Sequence, residues 1–304
     1  MAEAAPPAGE RPRSVLPALA LVLNGFIWGI SWWPFRQLQA QGLHPLLATA
    51  FVYLLSVVLL IAARPGAART MARHPALWLL AAAAGMTNVG FNWAVTVGDV
   101  VRVVLLFYLM PAWTVLLAWL VLGERPTGPS LLRMALAMAG VAIVLKTGDA
   151  AWPVPHSLAD WLALAGGISF ALNNVLLRKL NHVDAAGRVL AMFLGGAIMA
   201  GGAAALGLAG GFVAAPAVLD SGWVIGLALS LGFLGSNMAL QYGAARLTAH
   251  TTALIMLSEV VFASLSSVVL GAAELTARTV AGGGLILVAA AWSAWPVGEP
   301  RGAQ

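Results

Sequence analysis

The sequence predicts an all-α polytopic membrane protein, with ten transmembrane helices arranged as two inverted five-helix repeats. Three observations carry that expectation: the apolar composition, the way charges punctuate apolar runs, and short motifs that recur in one order in both halves. The chain is 61% hydrophobic and 9% charged over 304 residues, with a mean hydropathy of +0.90. A soluble domain carries about 25% charged residues. This chain has too few polar groups to cover its own surface, so lipid is expected to solvate most of it. About 20 apolar residues cross a bilayer as a helix, and the length accommodates ten spans with short connections.

Charges and turn residues divide the chain into apolar segments at 15–35, 45–63, 76–97, 101–122, 129–146, 158–178, 188–209, 218–243, 248–270 and 276–296. Residues 1–14 are polar and rich in Pro and Ala, and are expected to form a disordered cytoplasmic N-terminus. Arg11 and Arg13 followed by an apolar run superficially resemble a secretory signal. The run from Val15 to Phe35 is too long for a signal core and lacks a small-residue cleavage site, so it is expected to be retained as the first span. Residues 15–146 then make the first repeat, 157–296 the second, and 297–304 a cytoplasmic tail. The connections around Gly98-Asp99 and around Arg246 are the shortest.

The distribution of basic residues orients the spans. With the N-terminus in the cytoplasm, Arg11, Arg13, Arg64, Arg69, Arg73, Arg125, Arg133, Arg178, Lys179, Arg188, Arg246 and Arg301 fall at cytoplasmic ends. Only Arg36, Arg102, Lys146 and Arg278 fall on the other side. Twelve against four predicts that both termini are cytoplasmic.

The repeat is read from three matches. Gly29-Ile30-Ser31-Trp32 returns as Gly167-Ile168-Ser169-Phe170, an offset of 138. Asn92 and Gly98 return as Asn237 and Gly243, an offset of 145. Val121-Leu122-Gly123-Glu124 returns as Val269-Leu270-Gly271 with Glu274 beyond, an offset of 148–150. Five spans is an odd number, so the second copy enters the membrane from the opposite side. Inverted repeats of this kind place a central site at their interface, which rocking of one half exposes alternately to each face. Duplication that serves folding alone is the bland alternative.

Polar residues inside a span are costly unless they face protein or water. Asn24, Trp28, Ser31 and Phe35 share one helical face of the first span; Asn88, Asn92 and Asp99 recur on the third; Ser169 and Asn173 lie on the sixth. The eighth carries Ser230, Asn237 and Gln241, with Tyr242 beside them. These residues are expected to line a central cavity, against the alternative that they only hydrogen-bond helices together. Trp28, Trp32, Trp93, Tyr108 and Trp113 lie deep and could stack on an aromatic substrate, or simply pack. Trp78, Trp152, Trp161, Trp292 and Trp295 lie near span ends and read as interfacial anchors. Glu259 is the carboxylate expected well inside a span. Ionising it there is expensive, so its protonation could be coupled to conformation or substrate; a structural hydrogen bond is the alternative. Pro111 is expected to kink the fourth span, and Gly25 and Gly29 to form a close helix contact.

Other functions find little support. The net charge of +5 comes from scattered bases, which fits membrane orientation rather than nucleic acid. There is no cysteine, no metal-ligand cluster, no phosphate-binding GxxxxGK[ST], no HExxH and no GxSxG. Neither a metal nor a cofactor is expected, and no catalytic constellation points to an enzyme.

The stretches Asn24 to Trp32, Met110-Pro111 to Gly123-Glu124, and Leu257-Ser258-Glu259-Val260-Val261-Phe262-Ala263 resemble EamA-type members of the drug/metabolite transporter superfamily. The last is similar to the Leu-Glu-Pro-Val-Phe-Ala frequent in that family, with Val260 in place of the proline. The Trp-rich first span and overall texture look most like its YddG-type exporters of aromatic amino acids. The resemblance implies a secondary transporter in a bacterial inner membrane, exporting amino acids or related metabolites, with the lipid bilayer and a small molecule as its partners and a monomer sufficient. Transport of a nucleotide-sugar, sugar-phosphate or lipid-linked sugar is the second reading, and a non-transporting membrane scaffold the third.

Overall fold

A computed structural model describes residues 15–123, 126, 128–145, 155–180, 182–211, 213–216, 222–244, 255, 258–272 and 274–294. Expectations that fall on Arg11, Arg13, Glu124, Arg125, Lys146, Trp152, Arg246, Trp295 and the terminal segments lie outside the described residues, as does the side chain of Gln241.

The described residues are helical, with no strand among them. In chain order the helices are α1 (Leu16–Ile30), α2 (Trp32–Ala40), α3 (Pro45–Ala63), α4 (Gly66–Arg73), α5 (Ala76–Val97), α6 (Val100–Phe107) and α7 (Met110–Leu122). They continue as α8 (Gly128–Leu145), α9 (Leu158–Lys179), α10 (Ala185–Ala209), α11 (Gly222–Ala244), α12 (Ser258–Val269) and α13 (Ala277–Ala294). In a bilayer every backbone amide must be satisfied within its own segment, which leaves helices as the solution for these apolar runs. Six of the described stretches are long and apolar enough to cross a membrane: Leu16–Ala40, Pro45–Ala63, Val100–Val121, Leu158–Leu177, Ala185–Ala209 and Gly222–Leu240. The chain is a multi-pass membrane protein.

Helix α5 falls outside that set. It carries Thr87, Asn88, Asn92 and Thr96, and 15 of its 22 residues are buried. Protein rather than lipid surrounds it, so it tolerates polar side chains that a lipid-facing helix would not.

Two expected spans are interrupted. The first breaks at Ser31, whose hydroxyl donates to the Trp28 carbonyl at 2.8 Å, giving α1 and α2. The fourth breaks at Tyr108 and Leu109, and α7 restarts with Pro111 in its first turn, where a missing amide costs nothing. The kink expected from Pro111 is thus a break one turn earlier. Between α5 and α6 the chain turns at Gly98-Asp99, where the Asp99 carboxylate accepts from the Arg102 amide at 2.7 Å and caps α6.

Helix α5 packs on α9 and α10, α11 on α1 and α3, α6 and α7 on α9, and α12 on α1. Exchange α1 with α9, α3 with α10, α5 with α11, α6–α7 with α12, and α8 with α13, and each of these packed pairs maps onto another. The pairs α3 with α10, α6 with α12, and α8 with α13, which also pack, map onto themselves. The matched helix ends repeat as well: α7 ends at Gly123 with φ 72° and α12 is followed by Gly271 with φ 65°, a left-handed conformation that glycine adopts without penalty.

Lipid tails are as apolar as the helices, so close van der Waals packing has to hold helices together. Gly25 and Gly29 press α1 directly on the start of α12. A Cβ on Gly29 would lie 2.8 Å from both the Glu259 carbonyl oxygen and the Phe262 Cβ. The expected close contact therefore forms, between the first span and the ninth.

Candidate functional site

The buried apolar residues form two large clusters. One gathers Phe91, α6, Tyr108 and Leu109 with parts of α9, α12 and α13; the other gathers Phe35, Tyr53, Phe193 and Phe233 with α3, α10 and the other end of α9. Trp28 packs against both. Its indole stacks on Phe233 with centroids 4.4 Å apart and planes 16° from parallel, and meets Phe91 edge-on at 6.4 Å. Rings extend from this point in both directions. Phe233 lies 5.8 Å from Tyr53, which lies 5.4 Å from Phe193; Phe91 lies 4.8 Å from Phe107, which lies 5.4 Å from Phe170.

The polar residues named from the sequence are found in three different states. Some hold helices together. Asn24 donates to the Ser236 carbonyl at 3.0 Å and to its hydroxyl at 2.6 Å, joining α1 to α11. Asn88 donates to the Ala84 carbonyl and accepts the Tyr53 hydroxyl at 2.6 Å, joining α5 to α3. Ser31 bonds within its own turn, and Ser230 donates to the Val52 carbonyl at 2.8 Å.

Others are buried with bonding capacity left over. Asn92 is fully buried and neither amide atom makes a well-formed hydrogen bond, although the Tyr53 hydroxyl, which donates to Asn88, lies close enough to interact with it. The Oδ1 atoms of Asn24 and Asn173, the Ser258 hydroxyl and the Trp113 Nε1 are likewise buried and unpaired. Buried polar atoms are almost always paired with protein, water or ligand; the Arg188 Nε is buried and unpaired as well. Asn237 and Tyr242 are half-buried on α11.

Tyr108 and Glu259 form the third arrangement. The Tyr108 hydroxyl donates to Glu259 Oε2 at 3.0 Å, with Tyr108 2% and Glu259 8% exposed. Trp32 donates through Nε1 to the Ser266 hydroxyl at 2.9 Å and lies under the Arg36 guanidinium at 5.1 Å, and Trp93 packs edge-on against His44. Trp78 and Trp161 are more than half exposed, as interfacial anchors would be.

At the end of the bundle where α6 begins and α12 ends, a pocket of about 430 Å³ is lined by Asp99, Arg102, Glu274, Thr276 and Thr279 with Gly271 and Ala272. Beneath it Arg102 forks onto Asp160 of α9, Nε to Oδ1 at 2.8 Å and Nη2 to Oδ2 at 3.0 Å. Asp160 is 1% exposed and also accepts from His156, whose Nδ1 lies 3.0 Å away. Sequence reasoning placed Arg102 near a span end without naming a partner. Asp160, Tyr53, Phe233 and Ser236 were missed as well; their signal is the face each shares with residues that were named, but partner choice across some 60 to 210 positions is a tertiary fact.

Residues 15–146 match the EamA-like transporter family. The fold likeness extends much further: one solved crystal structure aligns with TM-score 0.58 at 20% identity over 90% of this chain and 96% of that one. Two curated relatives are each 31% identical. Protein RarD of Streptomyces exfoliatus aligns over 173 residues, 53% of this chain and 52% of that protein. A "Probable terminal-alkyne amino-acid exporter" of Streptantibioticus cattleyicolor aligns over 153 residues, 49% of this chain and 50% of that protein. The chain thus spans about half the length of the curated relatives it matches.

Proposed function

We propose that this chain is a secondary transporter that exports small organic metabolites, with aromatic amino acids the leading cargo, by alternating access between two inverted five-helix halves. The observation that carries the reading is Trp28, which packs against both apolar clusters and stacks on Phe233, on the same face of its helix as Asn24, whose Oδ1 is buried and unpaired. An aromatic side chain can replace one of the stacked rings, while the amides and the Ser258 hydroxyl receive an amino or carboxylate group. The packing that survives exchange of the two halves supports the inverted repeat. The name of the amino-acid exporter relative supports the cargo class. The half boundaries stay at 15–146 and 157–296, with both termini cytoplasmic and the protein in a bacterial inner membrane.

Phosphorylated cargo needs a free cation in the cavity. Arg102 is committed to Asp160, and Arg36 to the carbonyls of Val95 and Gly98. The test is uptake of labelled phenylalanine into proteoliposomes. Saturable flux, competed by tryptophan and tyrosine, is expected. Absence of flux for every amino acid under any imposed gradient would overturn the proposal.

A further inference from the structure

Tyr108 and Glu259 come from opposite halves and meet where those halves touch. We propose that this pair is a proton-binding site, loaded and unloaded during the conformational cycle, so that transport is proton-coupled; the coupling rests on the transporter reading above.

Four observations carry it. The contact itself is a buried hydroxyl–carboxylate hydrogen bond of 3.0 Å across 151 positions of sequence. Its two members can keep that bond with the carboxyl charged or neutral, because a protonated acid both donates and accepts. Among the described residues of the helices packed on the Glu259 helix, no cation stands ready to balance the charge. Helix α1 has no charged residue, α6 has only Arg102, about two turns from Tyr108 and forked onto Asp160, and Arg36 of α2 is bound to backbone carbonyls. An uncompensated buried carboxylate is expensive, so a proton from the aqueous phase is its natural partner.

Position supplies the rest. The offset of 148–150 that matches the two halves sets Glu259 against Leu109–Pro111, beside Tyr108, so the pair lies where two equivalent segments cross. A group at such a crossing stands alike to both faces of the membrane, as alternating access requires of a coupling site. It also lies at a helix interruption. Tyr108 occupies the break between α6 and α7, and Glu259 starts α12 with its backbone seated on Gly25 and Gly29. Rearranging that break withdraws the hydroxyl and leaves the carboxyl to exchange its proton. The step is one proton taken up by the Glu259 carboxylate from one side and released to the other, with no other bond made or broken.

Infrared difference spectroscopy of the full chain in liposomes, titrated with acid, tests the site without a substrate. A protonated-carboxyl band is expected in the native protein, lost in Glu259→Gln and displaced in Tyr108→Phe; a band unchanged in Glu259→Gln overturns the proposal. Labelled phenylalanine then tests the coupling. A pH gradient of one unit should support up to about tenfold accumulation at one proton per substrate, whereas Glu259→Gln should retain exchange of phenylalanine across the membrane and accumulate none. Native accumulation indifferent to the gradient overturns the coupling. Phenylalanine that fails to move at all sinks the transport reading instead, and the infrared titration still decides the proton site.

Discussion

Trp28 is placed by sequence and finished by structure. Its spacing from Asn24 and Ser31 puts it on the polar face of the first span, but only the fold brings Phe233 and Phe91 against its ring. A stacked aromatic contributes about 0.5–1.5 kcal/mol beyond area burial. Trp28→Ala is therefore expected to raise the KM for phenylalanine roughly two- to tenfold, and Trp28→Phe to restore most of it. Tyr53→Phe strands the Asn88 carbonyl and should cost about 0.6–1.7 kcal/mol, measured by reversible unfolding from detergent micelles; a cycle with Asn88→Ala should recover that coupling. Neither Tyr53 nor Ser236 was legible as a partner, because Asn alone at helical spacing says which face is polar and nothing about which helix will meet it. Asn88 and Ser31 turn out to hold helices or turns together, Asn92 and Asn173 keep unpaired atoms, and Asn24 does both. Sequence spacing treats all five alike.

Helices show the same division. Apolar length predicts where most of the long helices begin and end, since lipid forces every amide into an internal bond, but not α4, a short polar helix between two expected spans. It gave no warning that the first span would break at Ser31, and Pro111 announced an interruption whose location is Tyr108. Helices α6 and α9 are tied by Arg102 and Asp160. Arg102→Ala removes the forked guanidinium from a 1% exposed carboxylate, leaving His156 and its amide beside it, and should destabilise the protein by about 1–3 kcal/mol; Arg102→Ala with Asp160→Asn should regain most of it in the same unfolding assay. Helix α3 starts at His44, whose Nδ1 accepts from the Leu46 amide at 3.3 Å. Burial holds the His44 pKa below its ordinary value of 6.5. The unfolded chain therefore binds this proton first, so the cap's contribution is full above pH 6.5 and declines as pH falls through the folded value. Thermal unfolding followed from pH 8 to pH 5 should show that decline, and His44→Asn, which caps without titrating, should flatten it.

For the whole molecule, composition and charge placement identify a membrane protein, and three short motifs propose its internal duplication. The packed pairs that survive exchange of the halves add a kind of support that no motif could, since they depend on contacts between segments far apart in the chain. Alternating access requires those halves to have opposite orientations in the membrane. Gly128 and Ala277 begin the matched helices α8 and α13, and both are exposed. The chain contains no cysteine, so single cysteines can be placed at either position and probed in intact cells with a membrane-impermeant maleimide. Ala277→Cys should label from outside, and Gly128→Cys only after the cells are opened. Labelling of both from the same face would contradict the inverted architecture and the alternating-access mechanism built on it.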